Sequence, residues 1–219
     1  MTIVATVDLR QSMGAVRDQR ARPTCLAFAF SSLHESCRRS PEYLSVECLF
    51  QEGVVRSHND PTRGPSLSAT RRALAETGQP LESSWPYVAV TSAAPLPRPV
   101  GIICRKAHVR TGPTTVPELC TLIAGGKAAV IVVRATTGLV QLDSSGVVRQ
   151  TSAGVEIGRH HALVAVGLGE DAADSNNQYI LVRNSWGLKW GHAGHAWLER
   201  SYLGNHLVAS VHLEQEDLA

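Results

Sequence analysis

The first strongly periodic segment follows Pro23-Thr24. In Cys25-Leu-Ala-Phe-Ala-Phe-Ser-Ser-Leu-His-Glu-Ser-Cys-Arg-Arg39, Leu26, Phe30, Leu33 and Cys37 recur at steps of four, three and four. That spacing is one face of a helix, and Arg38 and Arg39 stand where the C-terminal end of the helix dipole favours cations. Thr24 is a suitable N-cap, which puts Cys25 in the first turn. A second helix is expected over about Leu67 to Thr77, with Ser66 as its cap, Leu67 and Leu74 on one face, and Gly78 and Pro80 ending it. A third begins at Thr115, where Glu118 three residues on completes a capping-box pattern, and stops at Gly125-Gly126. From Ala128 the texture changes to short β-branched runs, Ala128 to Val133, His161 to Val166 and Tyr179 to Val182, bounded by glycine, asparagine and charged turns. Between the two textures lies Ala93-Ala-Pro-Leu-Pro-Arg-Pro-Val100, which proline bars from regular helix or an inner strand. The reading is α+β, a helical half followed by a strand half, joined near residues 90–110.

Composition narrows what such a chain does. At 219 residues it is long enough to bury a sizeable core, and with 43% hydrophobic and 18% charged residues it is too apolar to be disordered. No uncharged stretch approaches the roughly 18 residues a membrane helix needs, so a membrane partner is not expected. Lys+Arg 21 against Asp+Glu 19 gives a net charge of +2, the basic residues are scattered, and 5% aromatic content offers no stacking platform, which disfavours a nucleic-acid partner. The first ten residues lack the features of a secretory signal, so a cytoplasmic location is expected. The five cysteines, at 25, 37, 48, 104 and 120, are odd in number and show no CxxC spacing, suggesting neither a disulfide framework nor a zinc site. Cys37, Cys48, Cys104 and Cys120 are read as buried structural residues. His192 and His195 lie three apart in a glycine-rich turn with no third ligand near them in sequence, and neither a metal nor an organic cofactor is expected.

Cys25 is different from the other four. A thiol in the first turn of a capped helix faces unpaired backbone amides and the positive end of the dipole, which favour its thiolate. Such a nucleophile needs a proton acceptor, an oxyanion donor and a group to orient the acceptor. His161 opens a strand 136 residues downstream, Asn184 follows the next strand, and Gln19 stands six residues before Cys25. His160 competes with His161, and because successive strand residues point to opposite faces, only one of them can face the thiol; the His-Ala-apolar pattern favours His161.

Asp8-Leu-Arg with Gly14-Ala-Val-Arg-Asp-Gln19 and Cys25-Leu-Ala-Phe28 resembles the mature start of a papain-like cysteine peptidase. His161-Ala-Leu-Val-Ala-Val-Gly167 and Tyr179-Ile-Leu-Val-Arg-Asn-Ser-Trp-Gly-Leu-Lys-Trp-Gly191 resemble that family's histidine and asparagine blocks, at the expected separation of roughly 130–150 residues from the cysteine. Leu44-Ser45-Val-Glu47 is similar to a helix start of the family, and Gly64-Pro-Ser-Leu67 with Trp85-Pro-Tyr87 to one wall of its substrate cleft. The resemblance implies a single domain over residues 1–219, with a helical lobe over about 8–95, a β-barrel-like lobe over about 105–215 and the active cleft between them. It implies that Cys25 is the nucleophile, His161 the general base and then acid, Asn184 the orienter, Gln19 an oxyanion donor, and Trp186 a shield over the His161–Asn184 bond. Ser66, Leu67, Ala162 and Trp186 would bind substrate, and Trp85 and Tyr87 would pack between the lobes. The implied function is a cysteine endopeptidase acting through a thioester, on a restricted protein substrate. An acyl transferase or amidase, or a protein-binding module that has lost turnover, are the alternatives. Arg22-Pro23-Thr24-Cys25-Leu26 departs from the family's Cys-Gly-Ser-Cys-Trp, removing a disulfide partner, which fits a bacterial-type cytosolic form. With only about seven residues before Asp8, a form without a pro-segment is expected, restrained by a regulatory or inhibitory partner protein or by an imperfect site.

Overall fold

The computed structural model describes residues 2–38 and 42–216, within which the chain folds into two compact units that interleave in sequence. Among the described residues, one unit holds 2–11, 16–18 and 111–212, the other 12–15, 19–38, 42–110 and 213–216. The strand-rich unit therefore takes in the N-terminal segment, which the sequence pattern assigned to no element.

The helical unit is built from α1 (Cys25–Arg38), α2 (Val46–Ser57) and α3 (Leu67–Glu76), packed on one another. Its core gathers Phe28, Phe30, Leu33, Leu44, Leu49, Phe50, Val54 and Leu74. Helix α1 is buried all round between Ala27 and Glu35, so the single stripe expected from periodicity is only part of its buried surface. Leu26 is half-buried and Cys37 exposed, while Ser31, His34 and Glu35 are inside. These residues bond to one another and to the loops: Glu35 Oε1 accepts from Leu44 N–H at 2.8 Å, Gln79 Oε1 lies 3.1 Å from His34 Nδ1, and Gln79 Nε2 donates to Ser31 Oγ at 3.0 Å. Arg39 lies outside the described residues, and Arg38 ends α1. Helices α2 and α3 start at serine caps, Ser45 Oγ accepting from Cys48 N–H and Ser66 Oγ from Ala69 N–H. The proline-rich segment 93–100 is neither helix nor strand, as expected, and β2 (Ala107–Thr111) follows it.

In the strand-rich unit, β3 (Ala129–Thr136), β5 (Glu156–Asp171), β6 (Asp174–Arg183) and β7 (His195–Glu199) form successive antiparallel pairs. β8 (Leu207–Glu216) flanks β3, the short β4 (Val147–Val148) runs parallel to β7, and β1 (Ile3–Asp8) pairs with β5. α4 (Val116–Ala124), α5 (Thr137–Val140) and α6 (Arg200–His206) pack on these strands. α4 begins as the capping pattern requires, with Thr115 Oγ1 accepting from Glu118 N–H. The core between sheet and helices is apolar, centred on Leu119, Ile123, Ile131, Val133, Leu163, Ile180, Val182 and Leu198. Strand β5 carries the register that matters for function: Leu163 faces this core, so by the two-residue period His161 points inward on the same face.

Candidate active site

His161 is 6% exposed on β5 opposite Val133, while His160 is exposed. Asn184 follows directly on β6, its N–H held by Gly194 O at 2.9 Å. Its Oδ1 lies 2.7 Å from His161 Nε2 and accepts from Ser185 N–H at 2.7 Å. The backbone N–H can only donate, so it fixes the amide with Oδ1 towards both groups, and the proton of this bond sits on Nε2. Nδ1 is then the basic nitrogen of the neutral ring. Trp186 stacks on His161 with centroids 4.3 Å apart and 28° between planes, and it meets Trp190 nearly perpendicularly with centroids 5.8 Å apart. Trp190 is in turn pinned by its indole N–H donating to Leu139 O at 3.0 Å. Gly187 lets the chain turn away from Trp186: its φ is +73°, and its N–H donates to Arg17 O at 3.2 Å. Burial pushes the His161 imidazole down from 6.5 to about 4, opposed by the hydrogen bond to Asn184.

The residues expected at the cysteine end all lie in the helical unit. Cys25 is half-buried as the first residue of α1. Thr24 takes the N-cap place through its carbonyl, which accepts from Phe28 N–H at 3.0 Å, while its hydroxyl lies 3.0 Å from Tyr87 Oη. Gln19 is 7% exposed, and its side-chain Nε2 donates to Arg22 O at 2.8 Å, using one of its two hydrogens. Tyr87 donates from its hydroxyl to Gln19 O at 2.7 Å and meets Phe28 edge-on at 4.9 Å. Tyr87 thus has partners within the helical unit itself.

Arg22 and Glu47 are the polar residues that sequence reasoning did not select. Arg22 is among the largest fully buried side chains, and it binds Glu47 through both terminal nitrogens, Nη1 to Oε2 at 2.5 Å and Nη2 to Oε1 at 2.9 Å. The only trace in sequence is that an arginine stands inside the cysteine block and a glutamate at the start of α2.

Of the substrate-side candidates, Ser66 is exposed with its hydroxyl engaged in capping α3, Leu67 is half-buried at the start of that helix, and Ala162 is buried within β5 opposite Val132. None of the five cysteines is disulfide-bonded, but the common buried reading of the other four holds only for Cys48: Cys37 is exposed, Cys104 and Cys120 half-buried. A cysteine near a helix end, such as Cys37, is past the segment where α1 is covered on every side. Among the described residues no three His, Cys, Asp or Glu side chains gather as a metal site needs, and no helix is long and apolar enough to cross a membrane.

Residues 3–213 match the model of the papain family of cysteine proteases, and the chain belongs to that family. It is 27% identical over 198 residues to cysteine proteinase 3 of Entamoeba histolytica, covering 89% of this chain and 62% of that protein. It is 26% identical over 200 residues to a cathepsin L-like proteinase of Fasciola hepatica, covering 89% of this chain and 60% of the relative. The chain thus spans about three-fifths of the length of these relatives. Its fold is that of the Carica candamarcensis cysteine protease solved in complex with E-64, with a TM-score of 0.74 at 23% identity over 98% of this chain and 99% of that one. Xylellain, a cysteine protease from Xylella fastidiosa, gives a TM-score of 0.74 at 19% identity over 98% of this chain and 87% of its own. The α+β fold expected from the sequence is the papain-like fold.

Proposed function

We propose that the chain is a cysteine endopeptidase in which Cys25 attacks the peptide carbonyl. His161 Nδ1 takes the thiol proton and returns it to the leaving amine, Asn184 orients the ring, and Gln19 with the Cys25 N–H holds the oxyanion. The thioester that forms as the amine departs is then hydrolysed by a water that His161 deprotonates. The observation that carries this reading is the Asn184 Oδ1 bond to His161 Nε2 under Trp186, which supports Nδ1 as the base. Asn184 Nδ2 is buried with no hydrogen-bond partner. A buried amide that leaves its own donors unmet costs about 1–3 kcal/mol, which supports a role for its oxygen beyond stability. Membership of a protease family supports a protein or peptide as substrate.

The test is turnover of a fluorogenic peptide and of unfolded protein by the purified chain, with labelling by E-64, the compound bound by the Carica candamarcensis enzyme. Cys25→Ala is expected to abolish both while leaving the melting temperature within a few degrees of the parent, about the shift a change of under 1 kcal/mol makes. Cleavage at the parental rate by Cys25→Ala would overturn the mechanism. A restricted substrate range predicts kcat/KM on generic dipeptide reporters below about 10⁵ M⁻¹s⁻¹, with a higher value on the preferred protein. Aminolysis products formed with an added amine would instead favour the transferase alternative.

A further inference from the structure

The guanidinium of Arg22 lies against two rings, 4.7 Å from the centre of Phe50 and 4.9 Å from that of Tyr87. Besides the two bonds to Glu47, its Nη1 donates to Val88 O. Glu47 is equally committed: its oxygens also accept from Val88 N–H at 3.1 Å and from Gln51 Nε2 at 2.6 Å, at the start of α2 where the dipole favours a carboxylate. The side chains are 1% and 0% exposed. A buried pair of this kind is often no more stable than apolar residues of the same size, and here Arg22 Nε is buried without a partner. What the pair supplies is direction, since a bidentate fork fixes both distance and plane.

That direction is passed to the cysteine end by the backbone. Arg22 O accepts from Gln19 Nε2 at 2.8 Å and from Thr24 N–H at 2.9 Å, so the side-chain amide of Gln19 and the residue before Cys25 hang on one carbonyl. The next carbonyl, Pro23 O, is backed by Gly64, where a Cβ would stand 2.8 Å from it. Tyr87, which stacks on the guanidinium, closes the circuit through Gln19 O and the Thr24 hydroxyl.

We propose that Arg22 and Glu47 are positioning residues, a buried ionic clamp that aims the Gln19 amide and holds the start of α1 at Cys25. The proposal rests on the reading of Cys25 and Gln19 given above. The clamp touches no substrate; it acts through the Arg22 carbonyl.

The test compares Arg22→Met, Arg22→Lys, Glu47→Gln and the double variant Arg22→Met/Glu47→Met by kcat, KM, alkylation rate of Cys25 with iodoacetamide, and melting temperature. Arg22→Met is expected to lower kcat about 10–100-fold with KM within about threefold, the pattern of a misplaced transition-state donor. It also leaves Glu47 buried and unpaired, so melting falls on the order of 10 °C. The double variant removes both charges and restores melting without restoring kcat, which separates positioning from stability. Arg22→Lys recovers part of kcat, because a point charge meets Glu47 without the fork. If Arg22→Met does not fold, Glu47→Gln keeps the shape and is expected to lower kcat about tenfold. A kcat that returns together with melting in the double variant, or that is unchanged in a folded Arg22→Met or Glu47→Gln, overturns the clamp. A parent chain that cleaves nothing contradicts the peptidase reading alone. Alkylation then reads the clamp, with a rate about tenfold slower in Arg22→Met expected and equal rates contradicting it.

Discussion

Within β5, His161 is fixed by neutral groups: one amide oxygen, a stacked indole and an apolar core beneath. The residues leading to Cys25 are fixed instead by a fully buried ion pair and a tyrosine hydroxyl. The two arrangements suit the different tasks proposed for them. A base must change charge during each turnover, and neutral surroundings let a nearby charge dominate its titration. An oxyanion donor must keep one direction throughout, and a bidentate pair sets direction more firmly than packing does.

The largest expected break in this comparison comes from the donor end. Under the proposed mechanism Gln19→Ala removes one oxyanion donor and is expected to lower kcat by roughly 10²–10³, whereas Asn184→Ala loosens the base without removing a reacting atom and is expected to cost about 10–100-fold. Steady-state kinetics on one peptide decide it, and an equal or larger loss for Asn184→Ala would invert the ranking.

A smaller effect sharpens the neutral side. Burial pushes both His161 and His195 down from 6.5 to about 4 in the strand-rich unit. Between those values the unfolded chain binds protons that the folded chain does not, so their contribution is fully present above about pH 6.5 and is lost as pH falls towards 4. For His161 this is on the order of 3 kcal/mol. Urea unfolding of Cys25→Ala is therefore expected to show stability declining steadily from pH 7 to 4.5. A flat profile would mean that these imidazoles are hydrated.

Local signals carried much of this structure, and long-range ones did not. Caps are local, so Ser66 and Thr115 mark helix starts correctly from sequence. The choice of His161 over His160 agrees with burial but not through alternation, because β5 is exposed over 156–160 and buried on both faces from His161 to Gly167. β1 escaped notice because Val4 to Thr6 are all exposed and present no buried face to read. The Arg22–Glu47 pair escaped for another reason: its partners are 25 residues apart, and each reads alone as an ordinary exposed charge. Folding turned them into the most buried charges beside Cys25.

The central claim is that the thiol of Cys25 and the imidazole of His161 work as a charge-coupled pair. The most direct measurement is the titration of His161 followed by NMR in the parent chain and in Cys25→Ala. Without the thiol no thiolate can favour the imidazolium, and the ring is expected to stay low, near the value of about 4 that burial sets against the Asn184 bond. With a thiolate as partner the imidazolium is favoured, and the apparent value is expected to rise by about two units or more. Identical titrations in the two proteins would contradict the pair, and with it the catalytic reading of Cys25 and His161.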